Sequence, residues 1–154
     1  MAPEDLEDYI ALFADPEVVR YLGDGEVATP RESAEWLEQA WKRNASEGWD
    51  MRTVRLRNGT FVGRCGIAMR DLDGAVEHEV AYAFAREHWG HGYATEAATA
   101  VRDHALATRE ATRLISLVAH GNTASERVAT KLGMARERDV EFHGRTCSLF
   151  ALEA

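Results

Sequence analysis

The sequence predicts an α/β (α+β) fold, a mixed central sheet flanked by helices, with residues 1–154 forming a single domain. Three observations carry that prediction. Apolar residues recur at helical spacing near the N-terminus, after position 93 and again after position 122. Between those stretches, runs such as Val76 to Phe84 alternate with the period of a strand. Tight-turn dipeptides then punctuate the strands at Asn58-Gly59 and His143-Gly144.

Each element has a local reason. A helix from Pro3 to Ala14 gives way at Asp15-Pro16, an N-cap followed by proline at the first helical position, to a second from Pro16 to Leu22. Gly23-Asp24-Gly25 is a turn. Thr29 and Glu32 are spaced as a capping box and start a longer helix with Trp36, Leu37, Ala40 and Trp41 on its apolar face. From Trp49 the period shortens, and Met51–Leu56 and Thr60–Met69 read as a hairpin around Asn58-Gly59. Asp71-Leu72-Asp73-Gly74 turns the chain into the strand Val76–Phe84. A helix running to about Thr108, a strand Arg113–Val118 and a helix Thr123–Leu132 follow, and Gly133 sits where a left-handed stop belongs. Strands Ala135–Phe142 and Thr146–Leu152 close the chain.

Composition narrows the function. One domain of 154 residues can bury a real core. No apolar run approaches the roughly 18 residues of a membrane helix. The acidic start, Met1 to Asp5, has no basic-then-apolar signal peptide, so a cytoplasmic protein without a membrane partner is expected. Two cysteines, Cys65 and Cys147, make neither a disulfide framework nor a metal pair. The net charge of −8 argues against nucleic acid, which rewards a basic surface. It suits a cationic substrate, and equally it serves plain solubility.

The informative stretch is Trp89-Gly90-His91-Gly92-Tyr93-Ala94-Thr95-Glu96-Ala97, between a strand and a helix. In that arrangement backbone N–H groups cluster and the helix dipole adds positive potential, which makes an anion site. Glycine at 90 and 92 permits unusual backbone angles and close approach of a ligand. Neither G-x-G-x-x-G nor a Walker loop is completed.

This loop resembles the acyl-CoA pyrophosphate loop of the GNAT superfamily of N-acetyltransferases, Gln/Arg-x-x-Gly-x-Gly/Ala, with Trp89 in place of Gln or Arg. W-G-x-G-Y-A-T-E-A looks like the version of the Rim-type branch, which modifies ribosomal-protein N-termini. A second segment, Asn122 to Met134, is similar to the family's N-x-x-S-x-x-V-x-x-K-L-G-F, with Met134 replacing Phe. The element order is that of the GNAT fold except for the family's first strand, for which Met1 leaves no room. Either that strand is absent or the natural chain starts earlier, and an uncovered edge would favour a homo-oligomer.

The resemblance implies acetyl-CoA as co-substrate and an amine acceptor, with no metal. Trp89, Gly90, His91, Gly92, Tyr93, Ala94 and Thr95 would hold the pyrophosphate, and backbone N–H groups of the strand ending at Phe84 would polarise the thioester carbonyl. Asn122 would bond the pantetheine arm. Many relatives protonate the thiolate with a tyrosine seven residues further on, but Ala129 stands there, and Ser125 matches the serine of the Rim-like branch.

For the amine proton, a glutamate in a partly apolar site serves. Glu79 is the candidate because it alternates with Ala81 and Ala83 on one strand face, opposite His78, Val80, Tyr82 and Phe84. Glu77, His78 and His120 are fallbacks. Plainer readings stand beside these: Glu79 as a salt-bridged residue, Asn122 or Thr123 as a helix cap, Ser125 as a first-turn residue. His88 and His91 lack the further donors of a metal set. Arg127 and Lys131, one helical turn apart, could meet CoA phosphates or simply be solvated. Trp36, Trp41 and Trp49 read as packing aromatics.

The expected function is transfer of an acetyl group from acetyl-CoA to a primary amine, of a peptide N-terminus or a small molecule, by direct attack. A non-catalytic acyl-CoA-binding module is the alternative. A nucleotide-binding protein of another fold is a third reading, which predicts ATP or NAD binding.

Overall fold

A computed structural model describes residues 2–47, 51–108 and 111–153; Trp49 lies outside them. A 3-10 turn, Pro3–Asp5, leads into α1 (Leu6–Ala14), followed by the short α2 (Pro16–Val19) and α3 (Pro30–Glu47). Strands β1 (Met51–Arg55), β2 (Phe61–Leu72) and β3 (Ala75–Phe84) come next, then α4 (Tyr93–Ala107). The chain finishes with β4 (Arg113–Ala119), α5 (Thr123–Lys131), β5 (Ala135–Phe142) and β6 (Arg145–Glu153). The six strands form one mixed sheet in the order β1-β2-β3-β4-β6-β5. Every pairing is antiparallel except β3 with β4. Among the described residues β1 is the first strand.

The local signals hold, with adjusted boundaries. Asp15 caps α2 by accepting from the Glu17 N–H at 2.9 Å, and Thr29 and Glu32 bond reciprocally ahead of α3. The β2–β3 hairpin runs longer than its sequence pattern suggests. Its turn is Asp73-Gly74, both with positive φ, which matches the right-handed twist of the flanking strands. His143-Gly144 turns β5 into β6 in the same way.

Helices cover both faces. On one, α4 and α5 place Ala98, Ala105, Ala129 and Leu132 against Ile67, Val80, Leu114 and Val118. On the other, Tyr9, Leu12, Phe13 and Leu37 pack with Ala83, and Ile115, Ala119, Cys147 and Leu149 form a second apolar cluster alongside. Trp41 departs from its expected place: it is 47% exposed. The buried stripe of α3 runs through Ser33, Leu37 and Ala40, so Trp41 points about 100° away from the Ala40 direction.

Candidate active site

The parallel pairing of β3 with β4 is confined to one register pair, Glu79 with Ile115. Two side chains add bridges between the strands beside that pair. The Ser116 hydroxyl donates to the Val80 carbonyl at 3.0 Å, and the Leu117 N–H donates to a Glu79 carboxylate oxygen at 3.4 Å. Beyond them the strands share no further pairs, so β3 from Ala81 to Phe84 has an edge without a β4 partner.

That edge is presented deliberately. Ala85 donates its N–H to Val62 of β2 at 2.9 Å. Backbone groups alternate sides along a strand, so the N–H of Phe84 points the other way, toward the gap. The Phe84 carbonyl accepts the Trp89 indole N–H at 2.7 Å. Gly63, opposite Phe84, lets β2 come this close: a Cβ there would lie 2.2 Å from the Ala83 carbonyl oxygen.

From Trp89 the chain turns through Gly90 and Gly92, with φ of 78° and 85°. Gly92 is the N-cap of α4 and offers no side-chain cap. The first intrahelical bond runs from the Glu96 N–H to the Gly92 carbonyl at 3.0 Å. Helix geometry therefore leaves the N–H groups at the start of α4, around Tyr93, Ala94 and Thr95, without intrahelical partners. The loop is exposed from Trp89 to Gly92. The His91 ring does not reach outward; Nδ1 sits 2.9 Å from the Trp89 carbonyl and the ring stacks on Tyr93 at 5.5 Å.

The other wall of the gap is the start of α5. Asn122 caps it, accepting the Ser125 N–H at 3.2 Å. Asn122 thus performs its capping role, with its amide nitrogen left for other partners. Ala129 is fully buried in the core. Tyr82 crosses the gap from β3, its hydroxyl donating to the Ser125 carbonyl at 3.5 Å. Burial pushes its phenol up to about 12. Sequence reasoning passed over Tyr82 and Ser116. The one available signal for Ser116 was a polar residue inside the apolar run Leu114 to Val118.

Glu79 lies on the opposite face, 7% exposed. Its second oxygen accepts the Arg70 Nε–H at 2.6 Å, and the Arg70 guanidinium lies over the Phe142 ring at 5.2 Å. The salt-bridge reading of Glu79 is therefore realised, and Glu79 itself forms the register pair with Ile115 beyond which β3 and β4 share no pairs. Of the fallbacks, Glu77 is held by Arg113 and His120 meets Asp139 at 3.1 Å. Around this face the Arg20–Gly25 segment is fastened down. Arg145 donates to the Arg20 and Asp24 carbonyls, and the Tyr21 hydroxyl donates to Gly121, next to Asn122. Arg127 and Lys131 are exposed. Among the described residues no group of three His, Cys, Asp or Glu is gathered as metal donors, and no helix is long and apolar enough to cross a membrane.

The arrangement is a slot between diverging strands, with backbone donors at one end and a carboxylate at the other. It fits a long ligand carrying phosphates and amides. Comparison with known proteins agrees. The sequence profile of the acetyltransferase (GNAT) domain matches residues 1–135. An uncharacterised Bacillus subtilis protein, YkkB, is 36% identical over 126 residues, covering 80% of this chain and 71% of its own. Two solved structures superpose closely at low identity. A ribosomal L7/L12 α-N-protein acetyltransferase, RimL, bound to coenzyme A has a TM-score of 0.82 at 13% identity, covering 99% of this chain and 90% of its own. AAC(6')-Ib in complex with ribostamycin and coenzyme A has a TM-score of 0.81 at 16% identity, with the same coverage, 99% and 90%. The profile, which spans most of the chain, settles the family: the chain belongs to the GNAT acetyltransferases and is an acetyl-CoA-dependent acetyltransferase.

Proposed function

We propose that this chain, acting as one domain in the cytoplasm, transfers the acetyl group of acetyl-CoA to a primary amine in the manner of the Rim-type branch. The observation that carries the reading is the slot. One register pair joins β3 to β4, and the strands then part beside a helix N-terminus that has no side-chain cap. The N–H groups at the start of α4, around Tyr93, Ala94 and Thr95, suit a pyrophosphate, and the edge of β3 up to Phe84 suits the amides and carbonyl of an acyl-pantetheine arm. Asn122 and Ser125 would face that arm from α5.

Chemistry follows from which face each group occupies. The cofactor-side groups, α4 and α5, share one face of the sheet, so the amine approaches from the other, where Glu79, Arg70, Tyr21 and Phe142 lie. Backbone N–H groups near Phe84 stabilise the charge that develops on the carbonyl oxygen. Glu79 takes the amine proton through a water, because one of its oxygens is occupied by Arg70. Both a peptide N-terminus and a small amine satisfy this chemistry; RimL and AAC(6')-Ib, of nearly equal likeness to this chain, act under those two descriptions.

The Arg70–Glu79 ion pair also favours a second reading, an acyl-CoA-binding module without turnover. A panel of peptides, aminoglycosides, polyamines and amino acids separates the two. Free thiol release matched by a mass gain of one acetyl group on the amine supports the transferase. Tight coenzyme A binding with no acetylated product from any amine supports the module.

A further inference from the structure

We infer that the Tyr82 hydroxyl is the proton donor to the departing thiolate of coenzyme A. The inference rests on the transferase reading above and assigns a reacting group within that site. Direct attack joins the amine nitrogen to the carbonyl carbon and breaks the carbon–sulfur bond, so an electron pair leaves on sulfur. A proton passes from the Tyr82 oxygen to that sulfur, giving the free thiol, and the phenolate regains a proton from water. The amine's own proton departs on the opposite face, by way of Glu79.

Geometry singles out this residue. Tyr82 sits two residues before Phe84 on the part of β3 that has no β4 partner, so its backbone borders the slot. Its side chain lies on the α4–α5 face, opposite Glu79, which places acid and base on different sides of the reacting carbon. The hydroxyl ends at the first turn of α5, where Asn122 and Ser125 converge. At 3.5 Å its bond to the Ser125 carbonyl is long and weak, and is readily exchanged for a better acceptor. That carbonyl lies inside a helix and does not depend on the phenol.

The surroundings keep the proton on the phenol until it is needed. The cluster Tyr82 packs against is apolar, and the titratable groups that act on it are Cys65 of β2 and Glu79 of its own strand. Burial raises the phenol most, with Cys65 and Glu79 adding to the rise, so it is protonated across the physiological range. Ser125 is the other hydroxyl at this spot.

The test compares the purified wild-type chain with Tyr82→Phe and Ser125→Ala, using acetyl-CoA and any amine acetylated in the panel. The expected result is a fall in kcat of about a hundredfold or more for Tyr82→Phe, with coenzyme A affinity retained. Ser125→Ala should lose far less. Fluorinated tyrosine installed at position 82 keeps the ring and its packing while lowering the phenol pKa. It should bring an alkaline limb of kcat down into measurable pH, whereas a limb owed to Cys65 would stay where it is. Wild-type kcat in Tyr82→Phe, or a profile that fluorination leaves unmoved, overturns the proposal while the transferase reading stands. Absence of turnover by the wild-type chain with every amine removes both.

Discussion

Glu79 carries two demands at once. A carboxylate that is 7% exposed needs partners, and it finds the Arg70 guanidinium at 2.6 Å and the Leu117 N–H at 3.4 Å. Those partners hold it at the point where β3 and β4 part. Replacing it with glutamine keeps the shape and the bond from Leu117 but leaves no proton acceptor. Glu79→Gln should lower kcat by about a hundredfold while coenzyme A affinity changes little, read from steady-state rates and calorimetric binding. Full turnover in that variant would assign Glu79 to structure alone. The candidate was visible beforehand because strand alternation put a carboxylate among small residues. Its partner was not visible, since Arg70 lies nine residues back and reaches it only through the hairpin.

Elements in this chain are placed by close contacts that patterns do not display. Gly63 is one: with φ of 152° and a virtual Cβ 2.2 Å from the Ala83 carbonyl oxygen, it cannot carry a side chain unless β3 shifts. Gly63→Ala should cost about 2–4 kcal/mol of stability in a urea titration. It should also weaken coenzyme A binding, because the displaced segment ends at Phe84. A second device joins the N-terminal elements to β1. Asp5, 5% exposed, takes hydrogen bonds from Arg55 at 2.7 Å and Thr53 at 2.7 Å. Burial pushes its carboxyl up, but the bonds from Arg55, Thr53 and the Ala2 N–H outweigh burial and hold it below its ordinary 3.8. A depressed folded value means the stabilisation is present above the unfolded value and disappears as pH falls through the folded one. Denaturant midpoints should therefore drop between pH 6 and pH 3, and less steeply in Asp5→Asn than in the wild-type chain. Turns, caps and strand faces were legible because each depends on neighbours within about four residues. The Asp5–Arg55 bond spans fifty residues and leaves no local trace. Trp41 misled for a related reason: one residue of offset on a helix rotates a side chain by about 100°, beyond what apolar spacing alone resolves.

At the scale of the whole molecule, one sheet serves two jobs. Its antiparallel pairs, β1 to β3 on one side and β4 to β6 on the other, are each well laddered. The single parallel pair between them is the seam, and the seam opens into the slot. Helices α4 and α5 follow the two parallel seam strands, so their N-termini arrive at the same end of the seam. The glycine loop and the Asn122 segment read as separate motifs in the sequence, and the fold sets them directly after the two seam strands, β3 and β4. The widths and bridges of that site, Ser116, Tyr82 and Trp89 among them, depend on packing between distant strands. The most direct measurement is binding to the wild-type chain and to Gly92→Val. Valine is strained at a φ of 85° and should disturb the α4 N-terminus while touching little else. Acetyl-CoA and coenzyme A, each at about a hundred times its dissociation constant, should stabilise the wild-type chain by roughly 2.7 kcal/mol. ATP and NAD should not, and Gly92→Val should lose most of the effect. Equal stabilisation of both chains, or stabilisation by ATP or NAD that coenzyme A fails to displace, would contradict a slot built for acetyl-CoA.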